Sequence, residues 1–369
     1  MRISISRPAL QQAVTQAARA VSGRAAIPVL AGLLLRAEGN GLTITGYDMD
    51  MAIEVRTPAS VEEPGELVVP AKQFVGIVKS LPRSEIVMTL VENSLKIQSD
   101  RTDFSLQTMN AAEFPALPEV GGQFAIIPHE AFGECARKVA YAASVADNRA
   151  VCRADNRAVY RAVNTMVADG ELTMVATDAF RLAVRRAPAP DCEPLSVLLP
   201  VRFVSEIERL GGAVHLHLSA NHVQVQSGGT RIIARLIEGE WPNWQAVLPT
   251  TCATWLTADR ADLIGALQRA SSMRKDDLTA VVLKLEGDSL IITATQAEVG
   301  EAREELTVQH GGDGVLDVAL RPKYLRDALA VMGSDEVRIE YTSFRHPVKV
   351  LDESDPGFIY VVMPVTRPS

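Results

Sequence analysis

The histidines and carboxylates are the first residues to test for chemistry. His215 and His217 alternate along one predicted strand, so both imidazoles face the same side and could in principle bind a metal ion. No third ligand lies near them in the sequence. We therefore favour the alternative interpretation, in which the two histidines form the polar face of a strand.

Three aspartates, Asp48, Asp50 and Asp178, could supply a carboxylate pair for acid–base catalysis. Asp48 and Asp178, however, occupy equivalent places in two copies of a sequence repeat described below. We expect them to cap turns in separate domains. An enzyme whose carboxylate site is built from Asp48 or Asp178 is the alternative of a different class.

Other catalytic and cofactor-binding signatures do not occur in the sequence. It contains no phosphate-binding Walker loop, dinucleotide-binding glycine motif, nucleophile elbow or zinc-protease motif. The 4 cysteines are scattered without a C-x-x-C pair, a pattern typical of reduced thiols and not of a disulfide framework or a zinc site. We expect no catalytic residue, no metal and no cofactor.

The elements that must position any site repeat three times along the chain. Residues 2–6 alternate like a strand, and Ser6 with Pro8 predicts a helix start that carries a side-chain cap. The same strand-then-helix pattern fits residues 124–144 and 254–273, and a second helix is predicted in each repeat. We predict an α+β fold of three repeated domains, each with two helices packed on antiparallel sheets, over residues 1–121, 122–250 and 251–369.

The spacing of landmarks supports the repeat. Lys72 lies 70 residues after the first start at residue 2, and Arg202 lies 78 residues after the second start at residue 124. The difference of eight is explained by a tandem duplication, because residues 146–153 read ADNRAVCR and residues 154–161 read ADNRAVYR. The first two repeats fall into register once this eight-residue duplication at 146–161 is removed.

Composition and charge narrow the class of protein. The 369-residue chain is 47% hydrophobic and 22% charged, and no apolar run approaches the roughly 20 residues that span a bilayer. We expect a cytoplasmic protein that does not contact membranes. The formal net charge is −8, yet residues 1–36 contain five arginines and no acid. This uneven distribution keeps nucleic acid, held through its phosphates, as a possible class of partner.

Lysine and arginine concentrate on the predicted helices and their flanks, which indicates one positive surface. A modest attraction of this kind permits contact with phosphates without reading bases, and it permits sliding along a nucleic acid. The predicted DNA-facing residues are Arg24, Lys72, Lys79, Arg137, Lys138, Arg202 and Lys323.

Short motifs in a fixed order then suggest a family. They are IPVL at residues 27–30 after Gly23 and Arg24, Phe114-Pro115, ATDAFRLA at 176–183, VLP at 247–249 and YVVMPV at 360–365. Over its whole length the chain resembles the bacterial sliding clamps, the β subunit of DNA polymerase III.

The resemblance implies a non-catalytic processivity factor: a head-to-tail homodimer that closes into a ring around duplex DNA. A closed ring of this kind needs a heterologous contact between the first repeat of one copy and the third repeat of the other. The family's pattern implies Phe104 and Leu106 on one side of this contact and Met273 on the other. A monomeric interaction scaffold that kept the fold without ring closure is the alternative.

The resemblance also implies a peptide-binding pocket between the second and third repeats. Short segments of the DNA polymerase III catalytic subunit, the clamp loader and other proteins with clamp-binding motifs would insert leucine or aromatic anchors there. The implied pocket residues are Tyr160, Thr177, Ala179, Phe180, Arg181, Leu182, Pro242, Ala246, Val247, Val361, Val362, Met363, Pro364 and Val365.

Several pocket positions depart from the family's pattern. Ala179 and Phe180 stand where Gly-His is common, Ala246 where a basic residue is usual, and Tyr160 where leucine is usual. Two interpretations stay open. The first is neutral drift with an exposed loop insertion at the duplication, and the second is a specialised clamp that keeps natural partners while tolerating a pocket-directed inhibitor.

Overall fold

The computed structural model describes residues 1–23, 27–82, 85–144, 158–210, 214–272, 280–296 and 300–367. The chain divides into two compact units. Unit 1 comprises Met1–Pro128 and Arg209–Leu236, and unit 2 comprises His129–Glu208 and Ile237–Ser369. The duplication at 146–161 lies mostly outside the described residues.

The described residues form six α-helices and several short 3-10 helices. The α-helices are α1 (Arg7–Ala17), α2 (Ala71–Ser80), α3 (His129–Val139), α4 (Val201–Glu208), α5 (Arg260–Ser272) and α6 (Pro322–Leu329). The 3-10 helices are Ala18–Ala20, Pro28–Ala31, Ala111–Glu113, Ala140–Ala142, Ala158–Arg161 and Gln245–Val247.

The strands of the described residues follow in chain order. Those up to residue 127 are β1 (Arg2–Ser6), β2 (Gly32–Glu38), β3 (Gly41–Tyr47), β4 (Met51–Pro58), β5 (Ser60–Glu63), β6 (Gly65–Pro70), β7 (Glu85–Val91), β8 (Ser94–Ser99), β9 (Thr102–Gln107) and β10 (Gln123–Ile127). The next are β11 (Ala162–Ala168), β12 (Glu171–Thr177), β13 (Arg181–Pro188), β14 (Leu195–Pro200), β15 (Val214–Leu218), β16 (His222–Ser227) and β17 (Thr230–Arg235). The last are β18 (Thr254–Asp259), β19 (Val281–Glu286), β20 (Ser289–Gln296), β21 (Gly300–Thr307), β22 (Gln309–Gly312), β23 (Asp317–Leu320), β24 (Glu336–Tyr341), β25 (Val348–Leu351) and β26 (Phe358–Val362).

The described residues of unit 1 form two antiparallel sheets. The smaller has the order β5-β1-β7-β8-β9, and the larger has the order β10-β15-β16-β17-β4-β3-β2-β6. The larger sheet joins the first two sequence repeats through the pairing of β17 with β4, in which Thr230 lies opposite Val55. The linker residue Phe114 packs on this sheet with Tyr47 and Ile233.

Unit 2 repeats this plan with a nine-stranded and a four-stranded sheet. The order of the larger is β14-β11-β12-β13-β26-β25-β24-β18-β22, and that of the smaller is β21-β20-β19-β23. Here β13 of the second repeat pairs with β26 of the third, with Arg181 opposite Val362 and Leu182 opposite Val361. This pairing brings the two predicted pocket segments side by side.

The first helix of each repeat buries apolar residues at the same spacing. Buried residues lie at i, i+3, i+4 and i+7, which is one face of an α-helix. They are Leu10, Ala13, Val14 and Ala17 on α1, Phe132, Cys135, Ala136 and Val139 on α3, and Leu263, Ala266, Leu267 and Ala270 on α5. The helices pack in pairs within each repeat, α1 with α2, α3 with α4 and α5 with α6.

One local expectation is wrong. Ser6 precedes α1 and Pro8 lies in its first turn, but the Ser6 side chain makes no capping hydrogen bond. A proline in the first turn lacks an N–H and therefore leaves fewer donors for a cap to satisfy. Among the described helices, none combines the length and apolar character needed to cross a membrane.

Candidate functional site

The turn between β12 and β13 forms one wall of the site. The Asp178 carboxylate oxygen Oδ1 accepts hydrogen bonds from the backbone N–H groups of Phe180 (2.9 Å) and Arg181 (3.1 Å). The Thr177 hydroxyl donates to the carbonyl of Arg181 at 2.6 Å and accepts from the amide of Ala179 at 3.1 Å. These bonds hold Ala179 at φ 74°, in the left-handed region that an L-residue rarely adopts.

The same turn occurs in unit 1. Asp48 Oδ1 accepts from the amides of Asp50 (3.1 Å) and Met51 (2.8 Å), and Met49 has φ 76°. The prediction that Asp48 and Asp178 cap equivalent turns is confirmed. The two carboxylates lie in different compact units, and each is used by its own turn.

A cavity of about 160 Å³ opens above the β13–β26 pairing. Its lining comes from the 3-10 helix Ala158–Arg161, the end of β12 with the turn that follows, β13, the segment before β18, and β26 with the residue after it. The lining residues are Tyr160, Thr177, Ala179, Arg181, Leu182, Pro242, Trp244, Val247, Val361 and Met363. Nine of these ten are residues that the sequence predicted, and they come together although up to 203 positions separate them along the chain, from Tyr160 to Met363.

Trp244 is the lining residue that sequence reasoning missed. Its indole is buried against Val175, Leu182 and Val361 in the apolar core beneath the cavity. The motif WPNW at residues 241–244 was visible as the equivalent of Phe114-Pro115, and that equivalence was the available signal. Phe114 packs on the unit 1 sheet in the same way.

Val362 was predicted to line the pocket, and this is wrong because alternate residues of a strand point to opposite faces. Val361 and Met363 reach the cavity, whereas Val362 between them is fully buried on the other side of β26. Ala246 lines a neighbouring cleft of about 430 Å³, which shares Val247 and Met363 with the cavity.

The remaining predicted pocket residues, Phe180, Pro364 and Val365, do not line the cavity. Phe180 is 46% exposed, and its ring lies 4.7 Å from the Arg321 guanidinium. Val365 donates its amide to the carbonyl of Ala319 at 2.9 Å, which fixes the chain after β26. Pro364 does not contribute to the cavity lining.

Among the described residues that line the cavity, Arg181 is the one cation, and its guanidinium is held by three hydrogen bonds within the chain. Nε donates to Asp178 at 3.1 Å, Nη1 to Asp327 at 2.6 Å, and Nη2 to the carbonyl of Tyr141 at 2.6 Å. The guanidinium carbon lies 4.4 Å from the ring centre of Tyr324. Burial alone would lower the pKa of Arg181, but its neighbours, among them Asp327 and Asp178, outweigh burial and raise that pKa.

A phenolic pair beside Arg181 stays neutral. Burial raises the pKa of Tyr141 and that of Tyr360 well above the ordinary value of 10. The Tyr360 hydroxyl donates to the backbone carbonyl of Tyr324 at 2.9 Å. The pocket wall therefore has one fixed positive charge, matched by carboxylates behind it, and an otherwise apolar surface.

The predicted DNA-facing residues occupy different environments. Lys72, Lys79, Arg137 and Arg202 are exposed on α2, α3 and α4. Lys323 on α6 is 44% exposed and forms an ion pair with Asp327. Arg24 lies outside the described residues.

Lys138 does not face solvent, so its assignment to the DNA-facing set is wrong. It is only 6% exposed, and its ammonium forms an ion pair with Asp355 and lies 4.0 Å from Glu134. Lys138 is three residues after Cys135, on the face of α3 that packs against the sheet. Composition located the basic helix but could not tell which face this lysine occupies.

The other candidate residues are placed as follows. His215 and His217 lie on one face of β15, and their rings are tilted against the Phe124 ring at centroid distances of 5.8 Å and 4.8 Å. Within the described ranges, no group of three or more potential ligands could hold a metal ion. Phe104 and Leu106 are half-buried on β9, an edge strand of its sheet, and Met273 lies outside the described residues.

Comparison with known proteins adds to this geometry. The family profiles of the DNA polymerase III beta subunit match in order: the N-terminal domain at residues 1–118, the central domain at 127–243 and the C-terminal domain at 245–366. The beta sliding clamp of Bacillus subtilis is 27% identical, with 99% of each chain covered, and that of Staphylococcus epidermidis is 28% identical with the same coverage.

Solved structures agree with these matches. The sliding clamp of Bacillus subtilis has a TM-score of 0.85 at 26% identity, with 100% of each chain covered. The clamp of Pseudomonas aeruginosa bound to griselimycin has a TM-score of 0.84 at 29% identity, with 99% of each chain covered. With matching domains along its length, the chain belongs to the DNA polymerase III beta subunit family, the beta sliding clamps.

Proposed function

We propose that two copies of this chain form a head-to-tail ring that encircles duplex DNA, tethers the replicative polymerase and catalyses no reaction. The observation that carries the proposal is the ordered match of all three clamp domains along the chain. We place the domain boundaries at residues 1–121, 122–250 and 251–369, and the site of action in the cytoplasm, on the nucleoid.

The basic residues of the helices provide the DNA-facing surface. Lys72, Lys79, Arg137 and Arg202 are exposed, and Lys323 is accessible, as side chains that contact phosphate must be. We retain Arg24 in this set on sequence grounds and exclude Lys138. A net charge of −8 limits electrostatic affinity, so that topological linkage, not phosphate binding, would retain the ring on DNA.

Ring closure would join β9 of one copy to β21 of the other. Both are edge strands of their sheets in the single chain, and an edge strand presents backbone groups that can pair with another chain. Phe104 and Leu106 lie on one face of β9, half-buried, which suits an apolar contact with a partner. Met273 is kept as the residue expected opposite them.

The cavity above the β13–β26 pairing would take the peptide anchors of partner proteins. Leu182, Val361 and Met363 give it an apolar lining, and Pro242 stiffens one side. Its partners would be the DNA polymerase III catalytic subunit, the clamp loader and other proteins that carry a clamp-binding motif, each inserting a leucine or aromatic side chain.

Retention on DNA tests the proposal. The protein is loaded by a clamp loader on a nicked circular plasmid, and its retention is compared with that on the same plasmid after linearisation. A topologically linked ring stays on the circle in high salt and is lost rapidly from linear ends. Equal, salt-sensitive loss from both substrates would show ordinary electrostatic binding and overturn the ring proposal.

A second candidate function is favoured by Ala179. This residue lines the cavity at φ 74°, so its methyl group occupies the pocket wall where a glycine would leave space. We infer a clamp that keeps its natural partners but tolerates a pocket-directed inhibitor. Parallel titrations of griselimycin and a partner peptide against this protein and the Pseudomonas aeruginosa clamp test it, and equal griselimycin affinities would exclude it.

A further inference from the structure

Asp327 on α6 contacts two cations that belong to two different proposed surfaces. Its oxygen Oδ2 accepts from Arg181 Nη1 at 2.6 Å and from Lys323 Nζ at 2.7 Å, and Lys323 also reaches Oδ1 at 3.0 Å. Arg181 lines the cavity, whereas Lys323 is in the DNA-facing set. One carboxylate oxygen is therefore shared between the pocket wall and the DNA surface.

The two cations differ in how freely they can leave Asp327. Lys323 is 44% exposed, so water or a phosphate oxygen can replace the carboxylate as its partner at little cost. Arg181 is only 7% exposed, and its other nitrogens are bound to Asp178 and to the carbonyl of Tyr141. Lys323, and not Arg181, is therefore the cation that can leave the Asp327 carboxylate for another partner.

The departure of Lys323 changes the field at Arg181. While Lys323 is bound, it neutralises part of the Asp327 charge and weakens the attraction between Asp327 and Arg181. Without Lys323, the full carboxylate charge acts on Arg181 and holds it more firmly against the Tyr324 ring. A more rigid wall lowers the ordering cost of binding a ligand in the cavity.

Other contacts keep α6 in place during this exchange. Arg321 donates to the Tyr324 hydroxyl at 2.9 Å, and its guanidinium lies over the Phe180 ring of the β12–β13 turn. These contacts do not include Lys323. Removing Lys323 from Asp327 therefore changes the charge balance at Arg181 and leaves the packing of α6 on the turn intact.

We propose that Asp327 couples DNA binding to peptide binding. Phosphate oxygens that draw Lys323 away from Asp327 tighten peptide binding in the cavity, and a bound peptide, by thermodynamic reciprocity, favours release of Lys323 to phosphate. The proposal rests on the proposed function for the identity of the two ligands. Because one partly exposed ion pair supplies the coupling, the effect on affinity is about two- to fivefold.

The first experiment uses the free chain without DNA, where Lys323→Gln imitates the loss of Lys323 to phosphate. The probe is a net-neutral, fluorescein-labelled synthetic peptide with one leucine and one phenylalanine, and the readout is fluorescence anisotropy. The Kd of Lys323→Gln is expected to be about two- to fivefold lower than that of the wild type. Lys323→Arg keeps the charge and is expected to bind like the wild type.

Lys284→Gln is the matched control, because the Lys284 side chain is 48% exposed, forms an ion pair with Glu286, and belongs neither to the cavity nor to the DNA-facing set. Its Kd is expected to equal that of the wild type. In an Asp327→Asn background, adding Lys323→Gln should not lower the peptide Kd any further, since the shared carboxylate is gone. An unchanged or raised Kd for Lys323→Gln, or an equal fall in Kd for Lys284→Gln, would overturn the proposal.

The second experiment repeats the titration on protein loaded on nicked circular plasmid. Wild-type protein is expected to bind the peptide about two- to fivefold more tightly when loaded, and Lys323→Gln to show no such gain. Retention is measured on the same samples. Loss of retention overturns the ring proposal, whereas retention with an unchanged wild-type Kd overturns the coupling alone.

Discussion

The buried ion cluster around Lys138 makes Asp355→Ala the most informative stability test. Lys138 and Arg185 lie on α3 and β13, and both form ion pairs with the Asp355 carboxylate, which is itself only 12% exposed. Glu134 lies 2.7 Å from Arg185 and 4.0 Å from Lys138. Two cations and two carboxylates therefore balance in a largely buried site.

Asp355→Ala leaves two buried cations with one carboxylate. Removing one partner of a buried ion pair costs about 3–5 kcal/mol, because the remaining charge is neither solvated nor paired. Glu134 is still in reach of both cations, which favours the lower end, about 3 kcal/mol. For a cooperative unit of this size, that corresponds to a loss of roughly 6–12 °C in Tm.

Differential scanning calorimetry and urea unfolding of the full chain measure the effect. Glu353→Ala is the matched control in the same loop, since Glu353 is 66% exposed and lies 3.8 Å from Arg338. We expect that control to lose at most about 1 kcal/mol. Adding Lys138→Met to Asp355→Ala should recover part of the loss by removing the unpaired charge. A loss for Asp355→Ala no greater than for Glu353→Ala would refute the buried-charge reasoning.

Three further predictions concern the turn, acid stability and the ring. Ala179→Gly should raise the free energy of unfolding, measured with urea, by about 0.5 kcal/mol, because removing the strain of an alanine at φ 74° outweighs the added chain entropy of glycine in the unfolded state. Ala183→Gly, on extended β13, relieves no such strain and should lower the free energy of unfolding. Burial alone would raise the pKa of Asp352, but hydrogen bonds from Ser354 and the Gly333 amide hold this pKa below the ordinary 3.8. The ionised Asp352 therefore stabilises the fold above the ordinary pKa, and this stabilisation is lost as the pH falls through the pKa of the folded state. Asp352→Asn should therefore give a flatter stability profile between about pH 5 and pH 2 in urea titrations, and a profile as steep as the wild type would contradict this. Leu106→Asp should yield monomers in analytical ultracentrifugation, because it would bury an unpaired charge in the proposed interface. Ser105→Asp, on the exposed face of β9, is the control and should leave the mass unchanged. A dimeric Leu106→Asp would place the interface elsewhere.

The repeating architecture could be predicted from the sequence because its causes are local. The apolar stripe of each first helix, such as Leu10 to Ala17 on α1, depends only on the 3.6-residue period. Asp48 and Asp178 could be assigned to equivalent turns because an aspartate bonds to amides two and three residues ahead in its own chain. The family resemblance then located nine of the ten cavity residues.

In contrast, the direction in which each side chain points and the charges that it pairs with were decided by the tertiary structure. Lys138 counted as one more basic residue on a helix, but its direction depends on Asp355, 217 residues away. Val362 is buried because β26 pairs with both β13 and β25, which sets the face that each residue takes. The sequence assigned Arg181 to the pocket, but only the fold shows that Asp327 on α6 binds the Arg181 guanidinium and that Lys323 binds the same carboxylate. A local pattern determines the elements, while the charge partners come from distant segments that only the folded chain brings together.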